Sequence, residues 1–252
     1  MTRSIFITGA TSGFGAATAR LFAGRGWNVV ATGRRRDRLL ALAGAFEPGR
    51  VHAIEMDLAD RDSIARAVAG LPIAFDSIDC LFNNGGLALG KGAVPDIRED
   101  DWRQMVETNI MGLLHTTLDV LPRLKAAGPG ASIVNTGSVA ARFPYAGGNA
   151  YGATKAFVHQ FSYNLRIDLA QTGIRVTDLM PGMAKTEFTA VRNYGDMEAN
   201  ERFYDGVDPI RPEDVADIVW FLANLPAHLN VNCLELMPVQ QNPGGFAVNR
   251  RG

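Results

Sequence analysis

Seven short apolar stretches, at residues 4–8, 27–32, 51–56, 78–82, 131–136, 174–180 and 231–237, alternate along this chain with segments of helical periodicity. The helical segments fall near 14–25, 36–46, 61–70, 100–126, 150–171 and 212–224. This alternation constrains the fold more than any single motif does. A strand, a helix and a second strand joined by short turns close as a right-handed crossover between parallel strands. Repeating the unit builds a parallel sheet covered on both faces, so its strands read as continuous apolar runs such as Ile5-Phe6-Ile7 and Val29-Val30-Ala31. The expected fold is α/β: one doubly wound Rossmann domain, with a seven-stranded, mainly parallel sheet and helices on both sides. No internal repeat, low-complexity tract or Pro/Ser-rich linker interrupts residues 1–252, so one domain is expected. The stretch 183–209 breaks the rhythm. It is polar, bounded by Pro181-Gly182 and Pro209, and follows a strand end, where doubly wound folds bind ligands. An irregular substrate lid is expected there.

The first strand runs into Gly9-Ala10-Thr11-Ser12-Gly13-Phe14-Gly15 and then directly into a helical run. Glycines at such a turn remove the side chains that would keep a pyrophosphate from backbone N–H groups and from the helix N-terminus. Gly9, Thr11, Ser12, Gly13, Phe14 and Gly15 are therefore expected to hold a dinucleotide. The residue ending the second strand selects its type, because an acid there would bind a ribose 2′-hydroxyl and repel a 2′-phosphate. Here the segment is Gly33-Arg34-Arg35-Arg36, with no acid before Asp37. Arg34 and Arg35 offer planar forks for a dianionic phosphate, and the expected cofactor is NADP(H).

Tyr151 and Lys155 stand four residues apart in Ala150-Tyr151-Gly152-Ala153-Thr154-Lys155, with Ser138 thirteen residues upstream. On a helix, that spacing sets a phenol and an ammonium on one face. A fixed positive charge beside a phenol should pull its pKa from about 10 towards neutrality, fitting it to exchange protons with an alcohol or a carbonyl.

The motifs Thr8-Gly9-x-x-x-Gly13-Phe14-Gly15, Asn83-Asn84-Gly85-Gly86, Asn109, Ser138, Tyr151/Lys155 and Pro181-Gly182 resemble, in order and spacing, the short-chain dehydrogenase/reductase family. The likeness covers essentially the whole chain. The segments 85–90, 143–149 and 234–239 look more narrowly like its NADP-dependent 3-hydroxy acid dehydrogenase/serine 3-dehydrogenase branch. The resemblance implies hydride transfer at the nicotinamide, with Tyr151 moving the oxygen's proton and Lys155 also holding ribose hydroxyls. Ser138 would bond the substrate oxygen, and Asn109 would hold a water leading from Lys155 to solvent. Asp57 and Leu58 would contact adenine, Asn84 the ribose and its loop, and Pro181, Gly182 and Thr186 the nicotinamide end. Two positions depart from the family pattern. Position 85 is Gly where Ala is usual, and Ala184 replaces a β-branched residue.

The branch implies a small 3-hydroxy acid or its 3-oxo partner: 3-hydroxypropionate, L-serine, L-allo-threonine or 3-hydroxyisobutyrate. A sulfonate such as sulfoacetaldehyde would satisfy the same cation, and an uncharged ketone is the rival substrate class. A small acid needs a guanidinium fork. Arg192 within the presumed lid is the first candidate and Arg142 the second. Arg250 or Arg251 in the tail could instead reach a neighbouring subunit's pocket. A non-catalytic NADP-binding regulator is disfavoured by the intact Ser138, Tyr151 and Lys155. A net charge of −1 argues against nucleic-acid and membrane-surface partners. The longest apolar runs are too short to span a bilayer, and no signal peptide precedes the first strand. Cys80 and Cys233 lie in apolar strands outside any C-x-x-C pair and read as reduced thiols of a cytoplasmic protein. The four His carry no metal spacing, and no metal is expected. Family analogy adds a homotetramer.

Overall fold

The computed structural model describes residues 2–94, 96–243 and 248–250. Its strands are β1 (Ser4–Ile7), β2 (Asn28–Gly33), β3 (Val51–Glu55), β4 (Cys80–Asn83), β5 (Ser132–Thr136), β6 (Arg175–Pro181) and β7 (Cys233–Leu236). They form one sheet in the order β3-β2-β1-β4-β5-β6-β7. Each pairing in it is parallel, so the sheet is wholly and not just mainly so. The order reverses between β1 and β4, where Ile5 lies opposite Cys80. A crevice must open at the carboxyl ends of these two strands, because their crossovers leave in opposite directions.

The helices are α1 (Gly13–Gly24), α2 (Arg36–Gly44), α3 (Arg61–Ala69), α4 (Glu99–Val106), α5 (Gly112–Ala127), α6 (Asn149–Asp168), α7 (Phe188–Arg192), α8 (Met197–Tyr204) and α9 (Pro212–Ala223). One sheet face is buried under α1, α2 and α9, with Phe22, Trp27 and Val219 in its core and Trp220 packed against it. Phe22 meets both Trp rings edge-on, at 5.0 and 5.1 Å. Truncating such a fully buried ring costs about 3–5 kcal/mol. The other face lies under α3, α5 and α6, around Phe6, Ile64, Leu124 and Leu165.

Two features depart from the expected element map. The long helix near 100–126 contains a π turn, Glu107–Met111, between α4 and α5. The extra residue in that turn re-aims the side chains it carries, and such turns cluster at functional sites. The segment 183–209 is not irregular, since it holds α7 and α8. Its ends are pinned together, Lys185 N donating to Ile210 O (2.9 Å) and Ile210 N to Met183 O (3.0 Å). A buried amide network then ties the sheet to the rods beside it. Asn83 Nδ2 donates to Thr117 Oγ1 and Asn135 Oδ1, and Asn135 Nδ2 donates to Ser162 Oγ, each at 2.9 Å. Among the described residues no helix is long and apolar enough to cross a membrane.

Candidate active site

A cavity of about 780 Å³ opens at the switch point and runs from the ends of β1 and β2 to the 183–209 segment. Every expected site residue lines it except Gly15, Asn109 and Arg142. Gly15 serves by being absent as a side chain: a Cβ there would stand 2.4 Å from Gly9 O, so α1 could not start this close to the turn. Ser12 takes the capping position of α1 in extended backbone, but its side chain caps nothing. The first N–H groups of that helix are thus left for an anion, which is what a pyrophosphate requires. The protein atoms fit a dinucleotide on this ground alone.

The Gly at position 85 has a structural explanation. An Ala methyl there would fall 2.3 Å from Leu58 Cδ1, so the Leu58 side chain fills the space that the usual Ala occupies. Leu58 is consequently turned towards the 84–86 loop as well as the cavity. Asn84, which lines the cavity, also has a structural part. Its Nδ2 donates to Thr8 O (2.9 Å) and Gly9 O (3.2 Å), which ties the glycine turn to the end of β4.

At the reaction end, the four-residue spacing on α6 sets Tyr151 and Lys155 into the same cavity wall as Ser138. Lys155 is buried and donates from Nζ to Thr136 O at 2.7 Å, with the ammonium 5.8 Å from the Tyr151 ring centre. Two of its N–H bonds remain for a ligand. Ser138, at the end of β5, accepts from Ala140 N at 3.1 Å and keeps its hydroxyl at the cavity. The expected shift of Tyr151 is reversed. Burial pushes the phenol above its ordinary value, with the Ser138 hydroxyl opposing and the Tyr145 phenol reinforcing the change. Lys155 does not offset this, because desolvation acts on the ammonium too and lowers its own pKa to about 8, although buried Asp178 opposes that. Withdrawal from water thus outweighs the neighbouring charge at both groups.

Asn109, in the π turn, has its side-chain amide tied into the protein. Its Oδ1 accepts from Leu87 N (2.9 Å), and its Nδ2 donates to Leu87 O (2.8 Å) and Thr154 Oγ1 (3.1 Å). Both amide hydrogens are committed, so the side chain clamps the 84–91 loop against α6, and a water there would be held by an Asn109 oxygen.

Arg192 projects from α7 into the cavity. It donates to Gly90 O (3.2 Å), Tyr145 Oη (2.9 Å) and Gly147 O (2.9 Å), and two of its five N–H groups have no partner among the described residues. Arg142 is a correction: it pairs with Glu235 at 3.3 Å, reaches Cys233 Sγ at 3.5 Å, and faces a separate small hollow. Arg250 lies at the rim of this chain's own cavity, bonded to the carbonyls of Asp205 and Phe203. Arg251 lies outside the described residues. Sequence reasoning missed Lys91, Tyr145, Glu187 and Phe188, all of which line the cavity. Lys91 is a second cation there, its pKa lowered by burial and then by Arg192. Phe188 packs against Tyr151 with ring centres 5.5 Å apart. The one available signal was position: these residues flank Gly90, Gly147 and Thr186, in loops that follow strand ends.

The His reading needs a similar addition. His159 Nδ1 lies 2.6 Å from Asp178 Oδ2, and with Cys233 Sγ these donor atoms fall within 4.8 Å of one another. Folding brings together what sequence spacing keeps 19 and 55 residues apart. The direct His159–Asp178 bond accounts for the group, because it compensates a fully buried carboxylate. Cys80 and Cys233 are both free thiols, as expected.

Comparison with known proteins gives consistent findings. The family model for short chain dehydrogenases matches residues 3–196. A serine 3-dehydrogenase of Agrobacterium fabrum is 52% identical over 252 residues, with 99% of each chain covered. Sulfoacetaldehyde reductase 2 of Chromohalobacter salexigens is 50% identical over 251 residues, covering 99% of this chain and all of that one. Among solved structures, the closed form of a serine dehydrogenase complexed with NADP+ superposes with a TM-score of 0.92 at 44% identity. That match covers 98% of this chain and all of the other.

Proposed function

This chain belongs to the short-chain dehydrogenase family, and within it we propose an NADP-dependent oxidoreductase that interconverts a small 3-hydroxy acid and its 3-oxo partner. The observation that carries the substrate class is Arg192, a half-buried guanidinium with two uncommitted N–H groups in the cavity that holds Tyr151 and Ser138. Lys91 adds a second positive charge. NADP(H) as cofactor is supported by Arg34 and Arg35 at the far end of the cavity and by the relative solved with NADP+.

The cofactor, when bound, supplies or accepts the hydride. Ser138 Oγ and Tyr151 Oη converge on the substrate oxygen. The raised phenol is protonated at neutral pH, so in the reducing direction Tyr151 gives its proton to the forming alkoxide. In the oxidising direction Tyr151 must first give up its own proton to solvent, and the phenolate oxygen then takes the proton from the alcohol. Lys155, held by Thr136 O, keeps its remaining N–H bonds for the ribose hydroxyls and steadies the phenolate. The residues 183–209 act as a lid whose α7 brings Phe188 and Arg192 over the reacting groups. A sulfonate substrate is the second reading, favoured by the 50% identity to a sulfoacetaldehyde reductase. A cytoplasmic homotetramer completes the proposal, supported by exposed Leu118 and Ile167 on the outer faces of α5 and α6.

One panel tests the reading: NADP+ with L-serine, L-allo-threonine, 3-hydroxypropionate, 3-hydroxyisobutyrate, 2-hydroxyethanesulfonate and 1,3-propanediol, followed as NADPH absorbance. Turnover highest on a carboxylate supports the main proposal, and highest on the sulfonate the second. A preference for the uncharged diol overturns both.

A further inference from the structure

We propose that Glu187 competes with the 2′-phosphate of the cofactor for the guanidinium of Arg35, so that loading the phosphorylated cofactor exchanges one anion for another and loosens the base of the 183–209 segment. This rests on Arg35 being a 2′-phosphate ligand.

The geometry is that of a filled anion site. Glu187 Oε2 accepts from Arg35 Nη1 at 2.7 Å, and Oε1 accepts from Arg38 Nη1 at 2.6 Å. One carboxylate therefore spans two guanidinium groups, the arrangement a phosphate monoester also seeks. Arg35 has little left to offer. Its Nε and Nη2 donate to Thr11 Oγ1 (3.1 and 2.8 Å), and Nη2 also donates to Ser12 Oγ (2.8 Å). With the Glu187 bond, four of its five N–H groups are engaged, so a bidentate grip on phosphate requires giving one set up. The Glu187 bond is the one to go. The two side chains are about two-fifths exposed, 40% for Arg35 and 45% for Glu187, whereas the Thr11 and Ser12 bonds also shape the glycine turn. A phosphate dianion arriving at the same fork would in addition repel the carboxylate. Burial pushes the Glu187 carboxyl up, but the bonds from Arg35 and Arg38 outweigh it and hold the group below its usual range, so it is ionised at neutral pH. Arg34, in the same cavity, makes no hydrogen bond among the described residues and can meet the phosphate first.

The exchange reaches the reaction end through covalent neighbours. Thr186 stands over the glycine turn, its methyl 3.3 Å from where a Cβ on Gly13 would lie. Phe188 packs on Tyr151, and four residues further on α7 carries Arg192. An anion leaving Arg35 thus removes one of the two bonds that hold Glu187, keeping the one to Arg38, and loosens the start of the short helix that contributes both contacts. It also gives the enzyme a weaker hold on the phosphorylated cofactor than its arginines alone would provide. A cofactor without the 2′-phosphate would leave the clasp untouched.

The experiment measures NADPH and NADH dissociation constants by the fluorescence of the bound reduced cofactor, in wild type, Glu187→Gln, Arg35→Ala and the double variant. Glu187→Ser serves as a second replacement, and melting curves verify that each variant is folded. Glu187→Gln should tighten NADPH about 2- to 5-fold, the range for releasing one partly exposed ion pair, and change NADH by less than about 1.5-fold. On the Arg35→Ala background the same substitution should have no effect on NADPH. An unchanged NADPH constant in Glu187→Gln, or a loosening of both cofactors as for a clasp closed over them, overturns the exchange. If Arg35→Ala fails to loosen NADPH selectively, the phosphate-ligand reading itself falls, a result distinct from Arg35→Ala loosening NADPH while Glu187→Gln does nothing.

Discussion

Replacing Arg192 by Met removes the charge while keeping most of the stem, which makes it the sharpest probe of the substrate class. The loss has two parts. The side chain ties α7 to Gly90 O, Tyr145 Oη and Gly147 O, so any substrate that needs the lid ordered suffers when those bonds go. An anion suffers more. A carboxylate about 4 Å from a guanidinium gains about 4 kcal/mol at an effective dielectric of 20 and about 1 kcal/mol in bulk water. Arg192 is half-buried, so about 2–3 kcal/mol belongs to the charge alone. That corresponds to roughly a 30- to 200-fold drop in selectivity for the acid. The assay compares kcat/KM for 3-hydroxypropionate with that for 1,3-propanediol in wild type and Arg192→Met, at saturating NADP+. The diol reports the lid's share and the ratio isolates the charge. An equal loss on both substrates would refute the anion-binding role and leave Arg192 as a loop clamp.

Tyr151→Phe should leave NADPH binding nearly intact, as measured by fluorescence titration, and lower turnover by about 10³-fold or more; a variant keeping over about a tenth of the wild-type rate would end the proton-transfer role. Lys155, with its pKa lowered to about 8, binds fewer protons folded than unfolded between that value and 10.5. Stability it withholds at pH 8 should therefore return as pH rises towards 10.5, by up to about 3 kcal/mol, before the raised Tyr151 begins to act in the opposite sense above pH 10. Urea melts of wild type and Lys155→Met at pH 8 and 10 check this, and parallel pH dependences would contradict it. Gly137→Ala would set a methyl 2.1 Å from Asp178 Oδ1, on a carboxylate with no exposure that is held by His159. Overpacking there should cost about 1–3 kcal/mol and several degrees of Tm, and an unchanged melting temperature would show that the strand ends yield more easily than the packing implies.

The sheet, its helices, the glycine turn and the Ser138–Tyr151–Lys155 set were all legible in the sequence. Each depends on a local regularity: apolar runs, a Gly-rich turn between strand and helix, and one helical turn between a phenol and an ammonium. Even the two arginines after β2 follow from strand position. Less legible was which donors the fold had already engaged. Sequence alone does not show that the amide hydrogens of Asn109 go to Leu87 and Thr154, or that Asn84 donates to Thr8 and Gly9. Arg142 was read as a substrate cation and is paired with Glu235. The Tyr151 phenol was expected to be acidic because an ammonium is near, and burial reversed the sign.

Residue types and spacing thus determined the architecture and the kind of chemistry, because both arise from interactions a few residues apart. Tertiary structure alone decided the direction of the proton equilibria, which cations line the cavity and the Glu187 clasp on Arg35, 152 residues away. Desolvation and hydrogen-bond saturation are properties of a filled volume, and the chain's order does not list what fills it.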